Sequence, residues 1–153
     1  MSANPQTTDS KPIGAATKSL MRAFMKGHVS LYRMTGGKIG GGKSLLILTT
    51  TGRKSGVERD TPLFFFADGD HYIIIASAGG APKHPTWWLN LKSNPKAKIQ
   101  VGPKVIPITA REAEGEERKR LWGIIAENYK NFVGYQERTV REIPVIILDP
   151  QQA

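Results

Sequence analysis

The chain has 153 residues, which suits one domain with a real core, and carries 22 Lys and Arg against 13 Asp and Glu, a formal charge of +9. It contains no cysteine, which excludes disulfides, thiolate metal sites and cysteine nucleophiles. The positive balance favours an anionic partner: a phosphorylated cofactor, nucleic acid or an acidic membrane. No run has the apolar length of a membrane span and the N-terminus lacks a secretory apolar region, so a cytoplasmic protein is expected, with peripheral membrane contact left open.

Residues 1–17 are polar, contain Pro5, Pro12 and Gly14, and read as a flexible tail ahead of a single domain over 18–153. Lys18–Met34 reads as a helix. Leu20, Met21, Phe24, Met25, His28, Leu31 and Tyr32 recur at three- and four-residue spacings, while Arg22, Lys26, Val29 and Arg33 fall on the other side. Such a helix covers one end of the core, lies on an anionic membrane, or closes over a substrate. The following GGKIGGG, Gly36–Gly42, reads as a flexible linker. It precedes a strand, so it is not a dinucleotide-binding glycine fingerprint.

Leu45–Phe66 is a buried strand, a basic glycine-bounded turn and a second apolar strand. Gly52 and Gly56 bracket Arg53, Lys54 and Ser55, and Arg59 lies just beyond. Glycines permit a tight turn and close backbone approach to a ligand; hydroxyls, free N–H groups and cations make a phosphate cradle. The same pattern also describes a solvated hairpin turn.

Glu58–Ala67 reads as a strand, Asp68–Asp70 as its turn and His71–Ser77 as a returning strand, apolar on both faces and therefore central. Ser77-Ala78-Gly79-Gly80 ends that strand in small residues, either as an ordinary turn or as backbone against which a flat ring can lie. Pro85 opens a short helix from Thr86 to about Ser93. It carries Trp87 and Trp88, which read as core, and Asn90, one turn after Trp87, whose amide can face a ligand. Ala97–Val101 and Lys104–Ala110 read as a hairpin. Pro107 predicts an edge strand or a bulge.

Glu114–Asn128 reads as a helix burying Leu121, Trp122, Ile124 and Ile125. Tyr129, Phe132 and Tyr135 then recur at three-residue spacing in an aromatic segment, Tyr129–Thr139, that suits core or a cleft wall. Ile143–Leu148 closes the domain. The fold class is mainly β with α: about six antiparallel strands in a barrel with three or four peripheral helices. The histidines lack metal-binding spacing, so no metal is expected, and His84 reads as solvent-facing. Ser55 and Ser77 lack a nucleophile elbow. No nucleic-acid motif is visible, and nucleic acid is not expected as a partner. Chemistry must come mostly from a bound cofactor.

TTTGRKSG followed by PLFFF, then ASAGGAPKHPTWWLNLKSNP, the Tyr129–Tyr135 segment and IPVIIL resemble, in that order, the deazaflavin-dependent nitroreductase family. These are split β-barrel oxidoreductases using coenzyme F420. The resemblance runs from roughly Leu20 to Pro150. It implies that Arg53, Lys54 and Arg59 hold the phosphate and oligoglutamate tail, with backbone help from Thr51, Ser55 and Gly56. It implies that Pro62, Leu63, Phe64, Ala76, Ser77, Ala78 and Gly79 line the deazaflavin ring and ribityl chain, with Trp87 and Asn90 beside them. Phe24, Met25, Trp87, Phe132 and Tyr135 become the expected contacts to a small hydrophobic electrophile. The implied reaction is hydride transfer to an activated alkene, enone, quinone or nitroaromatic, with Tyr135, then Tyr129, as candidate proton donors. FMN on the same barrel is the alternative cofactor, and a non-catalytic deazaflavin- or membrane-binding protein the alternative function. Two departures stand out. The family's best-known nitroimidazole reducers resemble AS-Lys-GG where this chain has Ala78, and carry tyrosine where it has Phe132. Both argue against nitroimidazole reduction in particular.

Overall fold

The computed structural model describes residues 26–30, 32–34 and 44–151. Residues 26–30 and 32–34 are helical (α1). Then follow β1 (Leu45–Thr51), β2 (Glu58–Phe64), β3 (Phe66–Asp68), β4 (His71–Ile75), a 3-10 turn (Ala78–Gly80), α2 (Thr86–Ser93), β5 (Lys96–Val101), β6 (Lys104–Glu112), α3 (Gly115–Asn128), α4 (Asn131–Glu137) and β7 (Val145–Pro150). The tail, the linker Gly36–Gly42, Phe24 and Met25 lie outside the described residues.

Seven strands form one antiparallel sheet in the order β2-β1-β5-β6-β7-β4-β3. Its two end strands, β2 and β3, are consecutive in the chain, separated only by Phe65. One end of the sheet is therefore covalently continuous with the other, and the sheet has to curl into a split barrel. This explains the seventh strand. Glu58–Ala67 reads as one strand, but β2 must pair with β1 and β3 with β4. The chain breaks at Phe65, whose N–H donates to the Ser44 carbonyl at 2.9 Å. Side chains still alternate through the break. Leu63 and Phe65 enter one apolar cluster, Phe64 and Phe66 the other.

The first cluster lies beneath α2 and takes Trp87, Trp88 and Leu91 with Leu46, Leu48, Ile74 and Ile99. The second lies beneath α3 and α4. It buries Leu121 and Ile125 completely, about 1.5–3 kcal/mol each. β4 sends Ile74 to one cluster and Ile73 and Ile75 to the other, so it is apolar on both faces and has partners on both flanks. The middle of the strand order is β6, however.

That position corrects the reading of Pro107. It sits opposite Lys98 in a strand flanked by β5 and β7. Its carbonyl accepts from the Gln151 N–H at 2.8 Å. A strand residue's N–H and C=O point to the same side, so the missing donor faces the terminus of β7, where little pairing is lost. The aromatic segment after α3 is also more regular than expected: Asn131–Glu137 is helical, placing Phe132 and Tyr135 one turn apart on α4.

The face assignment of α1 needs correction as well. Val29, placed on the basic side by periodicity, is buried with Tyr32 against Ile47. The Tyr32 hydroxyl accepts from the Gly102 N–H at 2.9 Å and donates to the Leu45 carbonyl at 3.0 Å. Arg33 bridges Asp60 and Thr49 at 2.8 and 3.2 Å, so this helical segment is pinned to the outer face of β1 and β2.

Candidate active site

A cleft of about 380 Å³ opens where β2, the end of β4, the start of α2 and α4 converge. β2 supplies Pro62, Leu63 and Phe64, and Pro62 is tolerated because β2 pairs on one flank only. Ser77, Ala78 and Gly79 form the floor, Trp87 stands at one side, and Phe132 and Tyr135 close the other. These nine residues were all candidates on sequence grounds. Ile75, Pro85 and Asn131 also line the cleft and were not.

The floor is a tight left-handed turn: φ is 47° at Ala78, 64° at Gly79 and 83° at Gly80. At Gly80 the absence of a side chain is obligatory. A Cβ there would lie 2.6 Å from the Tyr135 carbonyl oxygen and 3.0 Å from the Arg138 Cβ, so α4 rests directly on the turn. Phe132 packs against Phe64 and Tyr135, each at a centroid distance of 5.6 Å. Tyr129 stands behind this wall, edge-on to Phe64 at 4.8 Å and stacked on Phe66 at 5.4 Å. It does not line the cleft. Ala76 likewise is wholly buried behind the floor.

The basic turn follows β1. Gly52 donates to the Val57 carbonyl and Gly56 to the Gly52 carbonyl, both at 2.8 Å, and the Ser55 hydroxyl accepts from the Val57 N–H at 3.2 Å. Gly56 has φ 69°. Arg53, Lys54 and Arg59 are exposed, and none has an acidic partner within ion-pair distance among the described residues. Asn90 is where the expectation changes. Its amide does not face open space. Asn90 is 3% exposed, accepts from the Arg53 N–H at 3.1 Å and donates to the Thr50 hydroxyl at 3.3 Å. The cation-bearing turn is thereby tied to α2, the helix that carries Trp87 into the cleft.

Two residues behind the floor went unnoticed in the sequence. Arg141, between α4 and β7, donates to the carbonyls of Ala76, Ser77 and Ala81. Gln136 donates to the Arg141 carbonyl at 2.8 Å and accepts from the Ile143 N–H at 2.9 Å. No motif marks either one. His84, read as solvent-facing, is half-buried with Nδ1 3.2 Å from Arg141. Burial, then the neighbouring Arg141 and Lys92, hold its pKa below the ordinary histidine value. Burial also lowers that of Arg141. Among the described residues no cluster of histidine or acidic side chains could hold a metal ion, and no helix is long and apolar enough to cross a membrane.

The sequence model of the F420H(2)-dependent quinone reductase family matches residues 24–150. The chain belongs to this family. It is an oxidoreductase whose cofactor is coenzyme F420. It is 44% identical over 128 residues to an F420H(2)-dependent quinone reductase of Mycobacterium tuberculosis, covering 79% of this chain and 86% of that one. Among solved structures, an F420-H2 dependent reductase, FDR-A, superposes with a TM-score of 0.64 at 45% identity over 70% of this chain and 95% of its own. A structure described as a domain-swapped dimer gives 0.67 at 38% identity over 88% and 96%. The site of this family member fits the cofactor. Its cleft has apolar walls and a small-residue floor suited to a flat ring, and the turn tied to α2 carries cations that have no acidic partner among the described residues, free for an anionic tail.

Proposed function

We propose that this F420H2-dependent quinone reductase binds the deazaflavin ring between the Ser77–Gly79 floor and the Pro62–Phe64 strand, with its anionic tail on Arg53, Lys54 and Arg59. Bound F420H2 supplies a hydride. Trp87, Phe132 and Tyr135 offer an apolar seat for the acceptor, a quinone first and an enone, activated alkene or nitroaromatic second. The walls exclude water, and the floor, α2 and α4 fix the relative orientation of the two reactants. Tyr135, on the cleft wall, gives its phenolic proton to the acceptor oxygen and recovers one from solvent. Tyr129, behind the wall, is the weaker candidate. Phe132 offers no hydroxyl and Ala78 no cation, which disfavours nitroimidazoles.

The observation that carries this reading is the tether from Asn90 to the basic turn, because it ties cations that have no acidic partner among the described residues to the helix that carries Trp87 into the apolar cleft. A fluorescence titration with oxidised F420, with FMN in parallel, tests it. Binding of F420 at micromolar or lower concentration, weakened in Lys54→Ala and Arg59→Ala, supports it, and oxidation of F420H2 by menadione and cyclohexenone then defines the acceptor. Tight FMN binding without F420 binding overturns the cofactor assignment. Tight F420 binding without turnover against any acceptor favours a carrier.

A further inference from the structure

The Ser77–Gly80 floor is held from behind by a side chain that belongs to neither cleft wall. Arg141 Nη2 donates to the Ser77 carbonyl at 2.7 Å, Nη1 to the Ala76 carbonyl at 3.2 Å, and Nε to the Ala81 carbonyl at 2.8 Å. Among the described residues it has no carboxylate within ion-pair distance. A half-buried cation without a counter-ion is unfavourable unless its donors are used, and here a planar fork serves three carbonyls at once. Those carbonyls bracket the turn, two before it and one after. Nη1 also meets His84, directly before Pro85 and the start of α2. Arg141 is itself tied to α4 through Gln136. One guanidinium thus connects the end of β4, the floor, the approach to α2 and the chain leaving α4.

We propose that Arg141 is a positioning residue, holding the Ser77–Gly80 floor at the separation from Phe132 and Tyr135 that a productive cofactor and acceptor pair requires. This rests on the F420 reading above. His84 makes one arm of the clamp sensitive to pH. Its Nδ1 faces an N–H donor and so must be the unprotonated nitrogen, with the proton on Nε2. Protonation adds a hydrogen there and a second cation beside Arg141. Arg141, Lys92 of α2 and Glu112 at the end of β6 act on this ring, and burial with the two cations outweighs the single carboxylate. The arm is intact while the ring is neutral and is lost as pH falls through a folded-state value held below the ordinary histidine one.

The test compares native protein, Arg141→Lys and Arg141→Ala by thermal unfolding, F420 titration and steady-state quinone reduction. Lysine keeps the charge but cannot reproduce the fork. The expected result is a folded Arg141→Lys protein with the F420 Kd raised and kcat lowered about tenfold each, while the quinone KM stays within about twofold. A purely structural role instead lowers Tm and leaves Kd and kcat of the folded protein unchanged, which overturns the proposal. If Arg141→Lys does not fold, His84→Gln decides, since glutamine offers an acceptor that does not titrate. The ratio of native to variant F420 Kd should then shift about threefold or more between pH 8 and pH 5, the cofactor's own ionisation cancelling in the ratio. A constant ratio overturns the proposal. Native protein that binds no F420 sinks both this role and the cofactor reading; normal native binding with unaltered variants removes the Arg141 role alone.

Discussion

The backbone N–H of Arg53 donates to the side-chain carbonyl of Asn90 at 3.1 Å, joining two residues 37 positions apart. Through this bond a helix in the hydrophobic core sets the position of an exposed cationic turn. Asn90→Ala removes that bond and the one to Thr50, leaving buried polar groups unpaired, at a stability cost of roughly 1–3 kcal/mol. The F420 Kd should rise by about tenfold although Asn90 is not exposed to the cleft. Fluorescence titration beside a thermal melt separates the two effects. Unchanged affinity in a folded variant would show that the turn finds its place unaided.

Gly79 and Gly80 both have positive φ, but they should respond differently to alanine. At Gly79 an added Cβ meets nothing within 4 Å, so the cost is the left-handed backbone alone, about 1–2 kcal/mol. At Gly80 the same change also drives Cβ to 2.6 Å from the Tyr135 carbonyl, where only backbone can give way. Gly80→Ala should have the lower Tm and displace α4, and a larger loss of quinone turnover should accompany it. Equal Tm values for the two variants would contradict the contact.

Tyr135 lines the cleft and Tyr129 stands behind it. Tyr135→Phe should therefore lower kcat with little change in F420 affinity, by about a hundredfold if proton transfer limits the rate. Tyr129→Phe should remain near native. Full turnover in both variants would leave solvent as the proton donor.

Arg120 makes a two-pronged contact with Asp68, at 2.7 and 3.0 Å, tying α3 to β3. The bond to Arg120 holds the Asp68 carboxyl below the ordinary aspartate pKa. Because the folded-state pKa is the lower one, the stabilisation is complete above the unfolded-state value and is lost as pH falls through the folded-state value. Asp68→Asn should lower Tm at neutral pH and lose that difference in strong acid. Both side chains are partly exposed, so salt should weaken the effect. A pH series of thermal melts with and without added salt checks this.

Features that depend on neighbours in the chain are legible in the residues alone. The apolar run from Leu63 to Phe66 already marked a strand, and the glycines bracketing Arg53 and Lys54 already permitted a tight cationic turn. Proline at the start of α2 and the Leu121–Ile125 spacing marked two helices, and the ordered motifs were enough to suggest the family. Partners distant in sequence emerge only once the chain is folded. The break at Phe65 follows from a sheet whose two ends are consecutive strands, and the tolerance of Pro107 from where β7 stops. Asn90 became a tether because curling of the sheet brought Arg53 to it. Arg141 carried no local signal, since its partners Ala76 and Ser77 lie 65 and 64 positions away. Periodicity reports which face of an element is buried. It cannot report which distant carbonyl a half-buried guanidinium will meet, because closure of the barrel sets that contact.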